Sequence, residues 1–462
     1  MVRKRVPKKS KISMSFEKFL FTKVRMWILL LVIIFFIIFT FLFGSLVLRS
    51  ETAQKIVLIP KNIKVFFFNE LDLGFASDRF ENKSGFKIYK KSSNISKKNF
   101  LLLSRYSGEK KRSIVELINL KNGKKVHEWS PNFDNINKKS KLSKEIINFK
   151  RDHNNSRYQM IHPYLMDDGS LFYHSIYYSP LVKIDICSKF ISNLDMFTHH
   201  SIEADEDGLW TPITYLPSKN NPGLDENKGI GKTFFYDDGI LKVNFKNEKL
   251  FEKSLIEILV ENKLSHLIFG GKDPSRDPIH LNDIQPVLIN GEYYKKGDIF
   301  LSFRNMSMIM LYRPKTNKII WYKQFPWELQ HDVDILDDNR ISIFNNNRLR
   351  NKFDKDVEHN NLIIYDFKKE KIDYVLKKKF KEYDIKTIGE GLADIYSDGS
   401  VFIEESNFGR ILMLNKNGEK LWEYINRSRE NNKLYRLNWS RIINLDIKKF
   451  KKELDKNNEC KI

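Results

Sequence analysis

Residues 397–422 read SDGSVFIEESNFGRILMLNKNGEKLW. A turn, Ser397-Asp398-Gly399-Ser400, opens an apolar strand at Val401 and Phe402. Ile411 to Leu414 reads as a second strand, and the polar turn Asn415-Lys416-Asn417-Gly418 leads to a third that ends in Trp422. Asp-Gly and Asn-Gly supply the positive φ that tight β turns need, and their flanks alternate apolar with polar, which is the pattern of hairpins. The order recurs. Openings of the same kind stand at Asp167–Phe172, Glu206–Trp210, Gly297–Ser302 and Asp337–Ser342, and closings with Trp at Met310–Trp321 and Ile118–Trp129.

Units begin near residues 101, 168, 207, 298, 338 and 398, with spacings of 39 and 40 where nothing intervenes. A four-stranded blade needs about 40 residues, so the longer spacings imply insertions. The reading is an all-β, six-bladed β-propeller over 96–445; five or seven blades are the alternatives, and a β-sandwich leaves the strand–turn–strand–Trp repeat unexplained. Helix is expected only at Ser254–Leu264 and in a charged, exposed Ile443–Leu454 stretch.

Outward from the repeats, the chain of 462 residues is 41% hydrophobic and 30% charged, the balance of a folded protein. Its 20 Gly, 13 Pro and 2 Cys exclude collagen and disulfide-rich scaffolds. The net charge of +22 invites a nucleic-acid partner, but nine cations in the first 25 residues, against Glu17 alone, carry a large share of it. The remainder is a mixed-sign, Lys- and Asn-rich surface with no nucleic-acid module motif, so none is expected to bind.

Met26 to Leu48, MWILLLVIIFFIIFTFLFGSLVL, has no charged residue, is long enough to cross a bilayer, and lacks a convincing cleavage site. The expected order is a basic cytoplasmic tail (1–25), a single transmembrane helix (26–48), a lead-in segment (49–95), the propeller (96–445) and a charged C-terminal tail (446–462). The basic flank places the tail in the cytoplasm and the propeller on the periplasmic or extracellular side. Cys187 and Cys460 lie far apart in sequence and are expected not to pair.

A propeller gathers loops from every blade at the mouth of one channel, so functional side chains should come from several repeats. Four places qualify: Thr198-His199-His200-Ser201, Ile279-His280-Leu281-Asn282, Ser302-Phe303-Arg304-Asn305 and Gln330-His331-Asp332. Plainer roles stand beside these: a surface tandem for His199 and His200, a turn for His280 and Asn282, an ion pair of Arg304 with Asp283 or Glu203, a loop cap for His331. On a strand adjacent residues face opposite ways, so only one of His199 and His200 should reach the channel. No H-E-x-x-H or paired-Cys spacing points to a metal, and no cofactor is expected.

Taken together, FTHHSIEADEDGLW (197–210), DPIHLNDIQPV (277–287), GDIFLSFRNMSMIMLY (297–312), QHDVDILDDNRISIFNNN (330–347), EGLADIYSDGSVFIEESNFGRILML (390–414) and LNWSRI (437–442) resemble the arylsulfotransferase β-propellers. That resemblance implies transfer of a sulfuryl group from an aryl sulfate donor to a phenolic acceptor, through a sulfohistidine and without a nucleotide cofactor. It implies His331 as nucleophile, His200 and His280 as histidines of the mouth, Asn282 beside the sulfate or phenolic oxygen, and Arg304 as sulfate clamp. The other reading is a propeller that binds a ligand or protein at the cell envelope without catalysis.

Overall fold

The computed structural model describes residues 26–49, 76, 78–89, 100–142, 153–176, 178–216, 218–219, 236–269, 277–348, 359–456 and 460. It divides into two units, one made of 1–70 with 224–233 and the other of 71–223 with 234–462.

In the first unit the uncharged segment forms one helix, Met26–Arg49. Along it Ile28, Leu30–Thr40 and Leu42 are exposed. Among the described residues no helix is long and apolar enough to cross a membrane.

The second unit is all-β, with sheets arranged as the blades of a β-propeller. Three sheets are four-stranded, one is five-stranded and one is eight-stranded. The eight-stranded sheet consists of Met160–Leu165 to Phe190–Thr198 and Glu203–Ala204 to Lys249–Ser254, the two halves' ladder meeting at Thr198 and Ile213. The ring closes by mixing chain ends: Arg441–Ile443 supplies the strand that pairs with Phe100–Ser107, followed by Arg112–Asn119 and Lys124–Trp129.

Every repeat opening read from the sequence is the second strand of its sheet. The first strands are Met160–Leu165, Glu203–Ala204, Leu281–Pro286, His331–Ile335, Leu392–Ile395 and Arg441–Ile443. The Asp-Gly turns act as expected, with Gly169 and Gly399 at φ 81° and 79° and the Asp168 and Asp398 carboxylates accepting the Ser170 and Ser400 N–H at 2.9 Å. The repeated Trp residues fill the wedges between sheets: Trp129 donates to Gly169 O at 3.2 Å, and Trp321 stacks on Tyr365 at 5.3 Å.

At several first strands a side chain of the preceding blade accepts a backbone N–H group. Asp238 accepts from Leu281 N, Asp283 from Val333 N and Asp332 from Ala393 N, each at 2.8 Å. Glu404 accepts from Trp439 N and Ser440 N, both at 2.7 Å, and so pins the last sheet to the strand that closes the ring. A buried donor stripped of such a partner costs about 1–3 kcal/mol.

At the head of each first strand sits one residue in the left-handed region: His162 (φ 44°), His200 (59°), His280 (54°), Asp332 (59°), Gly391 (111°) and Trp439 (58°). At Gly391 a Cβ would lie 2.5 Å from Thr387 Cγ2 and 2.8 Å from Phe344 Cε1, so only glycine fits.

Two expectations are corrected. The helix expected over Ile443–Leu454 is found as Ile447–Lys456, but it is docked and not simply exposed: its Phe450 is fully buried in one core cluster with Trp129 and Leu171. That docking brings Cys460 to Cys187, Cα atoms 5.0 Å apart, and the two form a disulfide despite their separation of 273 residues. The lead-in segment contributes structure as well, since Gly85–Ile88 pairs with Lys420–Ile425 as a fifth strand. The helix expected at Ser254–Leu264 is found as Leu255–Glu261, capped by the Ser254 hydroxyl.

Candidate active site

The sequence-predicted residues lie where three first strands begin. His331 opens His331–Ile335, His280 immediately precedes Leu281–Pro286, and His200 lies shortly before Glu203–Ala204. Their rings converge: His200 is 5.2 Å from His280 and 6.3 Å from His331, centroid to centroid. Trp439 stands edge-on to the group, 6.1 Å from His331 and 6.3 Å from His200.

His331 is fully buried. Its Nδ1 lies 2.7 Å from Asn346 Oδ1, and its Nε2 has no hydrogen-bond partner among the described residues. Burial, then the positive charge of Arg304, hold its pKa well below that of an ordinary imidazole, so the ring is neutral at neutral pH. This is the state a nitrogen nucleophile requires.

His200 is also held well below the ordinary value, first by burial and then by the neighbouring imidazoles, His199 foremost. Its Nδ1 is 2.8 Å from His199 Nδ1, so one nitrogen of the pair carries a proton there and the other does not. The Thr214 hydroxyl donates to Asp238 at 2.7 Å and therefore accepts from His199 Nε2, 3.0 Å away. His199 Nδ1 is then the acceptor and His200 Nδ1 the donor. The two histidines were expected to face opposite ways. The left-handed turn at His200 breaks the alternation of an extended chain and brings both rings together.

His280 is the most accessible of the three, with 23% of its side chain exposed, and its Nδ1 is 2.7 Å from Asp277 Oδ2. Arg304 begins the short 3-10 turn Arg304–Met306; its backbone N–H donates to His280 O at 3.1 Å and its Nη1 to Asn305 Oδ1 at 2.8 Å. Its Nη2 passes Gly389, where a Cβ would lie 3.8 Å away. The alternative ion pair with Glu203 is not made: Glu203 faces Arg441 at 3.4 Å and His162 at 3.3 Å. Asn282 is buried, and one N–H of its amide donates to the carbonyl of Gln330, the residue before His331, at 2.8 Å. That bond fixes the backbone from which His331 projects.

Sequence reasoning did not single out Asp277, Asn346 or Trp439, although each lies inside a quoted segment. Asp277 falls three residues before His280, a spacing with no meaning until the loop is folded.

Behind this cluster lies a cavity of 390 Å³ lined by His162, Glu203, Asp332, Asp334, Asp394 and Arg441. Trp439 separates the two regions, its ring edge-on to His162 with centroids 5.2 Å apart. Burial pushes Glu203 up to about 7 and Asp332 well above the usual carboxylate range. Among the described residues no group of His, Cys, Asp and Glu has the arrangement to hold a metal ion.

No curated protein matches the chain. Among solved structures, a protein of unknown function from Bacteroides caccae, at 1.35 Å resolution, aligns with a TM-score of 0.44 and 10% identity, covering 74% of this chain and 98% of its own. Virginiamycin B lyase from Staphylococcus aureus aligns at 0.33 and 12%, covering 58% and 70%. A functionally unknown protein from Desulfotomaculum acetoxidans aligns at 0.36 and 10%, covering 70% and 78%. Scores this low carry no argument. The model of the arylsulfotransferase (ASST) family, by contrast, matches residues 165–427, a span that takes in His200, His280, Arg304 and His331, and the chain belongs to that family.

Proposed function

We propose that this protein is a membrane-anchored aryl sulfotransferase that carries the sulfuryl group on His331. The observation that carries the reading is the state of that ring: neutral, buried, tied at Nδ1 and unpartnered at Nε2, with a guanidinium close enough to depress its basicity.

In the first half-reaction the Nε2 lone pair of His331 bonds to sulfur as the sulfur–oxygen bond to the aryl group breaks, and the electron pair leaves with the phenolate. Sulfuryl transfer, like phosphoryl transfer, spreads charge over peripheral oxygens in a loose transition state, so positioning and charge do most of the catalysis. Arg304 grips the peripheral oxygens. His280, with Nδ1–H donated to Asp277, gives its Nε2 proton to the departing phenolate. In the second half-reaction the acceptor phenol returns that proton to His280 as its oxygen bonds to sulfur, and the nitrogen–sulfur bond pair goes back to His331. Kinetics are ping-pong. The donor is an aryl sulfate and the acceptor a phenol, and neither a metal nor a nucleotide enters the scheme.

The propeller has six blades on this reading, supported by the six left-handed residues that head six first strands and by the division of the eight-stranded sheet at a single residue pair. The uncharged Met26–Leu48, behind nine cations, is the anchor, and the propeller lies outside the cytoplasm. The Cys187–Cys460 disulfide favours an oxidising compartment.

The test uses the full chain in detergent with p-nitrophenyl sulfate and a phenol acceptor. Acceptor-dependent release of p-nitrophenol is expected, with an adduct of about 80 Da, the mass of one SO₃ group, on the intact protein in donor alone and none on His331→Ala. Release that is equal in wild type and His331→Ala, or absent over a panel of donors, sinks the transferase reading in favour of a binding propeller.

A further inference from the structure

The reactivity of His331 depends on which nitrogen holds its single proton. Asn346 decides this, and its own orientation is fixed. Its Nδ2 donates to Glu390 O at 3.0 Å and to Thr387 O at 3.4 Å, so the atom facing His331 Nδ1, 2.7 Å away, is the amide oxygen. An amide oxygen only accepts; His331 Nδ1 must therefore donate, which leaves the lone pair on Nε2. The frame around this bond is rigid. Asn360 donates to Asn346 O at 2.9 Å and accepts from Thr387 N at 2.5 Å, and Asn346, Asn360, Thr387 and His331 are all fully buried.

Building on the sulfuryl-transfer reading, we propose that Asn346 is the positioning residue that locks His331 in its Nδ1–H tautomer and so directs the Nε2 lone pair to the sulfur of the donor. As the nitrogen–sulfur bond forms and the sulfur–aryl oxygen bond breaks, the electron pair leaves with the phenolate and the Nδ1 proton stays on the ring, which becomes cationic. Asn346 Oδ1 then accepts from a charged donor, and a charge-assisted bond is roughly twice as strong as a neutral one. The gain appears along the reaction path and not in the resting enzyme, which is the condition for raising kcat.

The experiment places ¹⁵N-labelled histidine in the full chain in detergent and assigns His331 by its loss in His331→Gln. Ring ¹⁵N shifts report which nitrogen is protonated. Wild type should hold the proton on Nδ1 between about pH 5.5 and 8. Asn346→Ala should divide it between Nδ1 and Nε2 and lower kcat by about tenfold or more, as a lost orienting group or a wrong tautomer does, with KM within about twofold because Asn346 does not touch the donor. A wild-type proton on Nε2 overturns the proposal, as does an Asn346→Ala variant with unchanged tautomer and kcat. Should Asn346→Ala not fold, the wild-type spectrum alone decides. If wild type turns over no donor while Asn346→Ala still shifts the tautomer, the transferase reading fails and tautomer control stands. Active wild type with an equally active Asn346→Ala does the opposite: the transferase reading stands and tautomer control fails.

Discussion

Replacing Arg304 with methionine separates two effects of one charge. In wild type the pKa of His331 is held well below 6.5, first by burial and second by Arg304. A neighbouring cation disfavours a second one, so its removal moves the His331 pKa upward, while burial still keeps it under 6.5. At about pH 7.5 the ring is neutral with or without Arg304. The loss of rate there therefore measures only the contacts to sulfate. A preorganised donor at a developing oxyanion is worth about 10²–10³ in kcat, or roughly 3–4 kcal/mol. As pH falls, the variant protonates its nucleophile before wild type does, which adds a further loss. The ratio of wild type to Arg304→Met should thus be about 10²–10³ near pH 7.5 and grow as pH falls. Initial rates of p-nitrophenol release, read after quenching into alkali so that product ionisation does not intrude, give the ratio at each pH. Activity of the variant within about threefold of wild type near pH 7.5, or a ratio that shrinks as pH falls, would refute the assignment of both roles.

Glu404→Gln should open the ring at its closure. Both carboxylate oxygens accept backbone N–H groups across the seam, and an amide nitrogen in place of one leaves a buried donor facing a donor, so a destabilisation of about 1–3 kcal/mol is expected in thermal or urea melts. Burial raises Glu404 from 4.5 to about 7, so its contribution to stability is full below pH 4.5 and is lost as pH rises through 7; the gap between wild type and variant should narrow over that window, and a gap that widens contradicts the burial argument. Cys460→Ser should release the terminal helix, lowering stability by about 2–4 kcal/mol and exposing Ile447–Lys456 to limited proteolysis under conditions that leave wild type intact. An unchanged melting temperature and digestion pattern would show that Phe450 packing alone holds the segment.

The turns were legible because Asp-Gly and Asn-Gly dipeptides encode a backbone conformation locally, and so the second strand of every sheet could be read directly. The first strands were not. Glu203–Ala204 and Arg441–Ile443 are too short for an apolar period to rise above chance, and Arg441–Ile443 pairs with Phe100–Leu102 from the other end of the chain. The same gap hid much of the site: His200, His280 and His331 stood out as rare residue types, whereas Asp277 and Asn346 gain meaning only from a hydrogen bond to one ring nitrogen. The C-terminal helix was legible, but its docking was missed for a related reason. Its composition is that of a solvated helix, and Ile447, Phe450 and Leu454 find their cluster on strands distant in sequence, around Trp129 and Leu171.

The left-handed residues join these observations. Non-glycine residues in that region cost on the order of 1–3 kcal/mol each and persist where surrounding bonds over-determine them. At His280, Asp332 and Trp439 the adjoining N–H is pinned by Asp238, Asp283 and Glu404, so there the pins that hold blades together also hold the strained position. The consequence of the left-handed residue differs between the two His-bearing pairs. At His331-Asp332 consecutive side chains serve different regions: His331 joins the imidazoles and Arg304, while Asp332 lines the acidic cavity beyond Trp439. At His199-His200 the same turn instead brings neighbours into contact. Carboxylates are kept away from the nitrogen that must stay neutral. A carboxylate beside His331 would favour its protonation, and Asp332 lines the cavity instead.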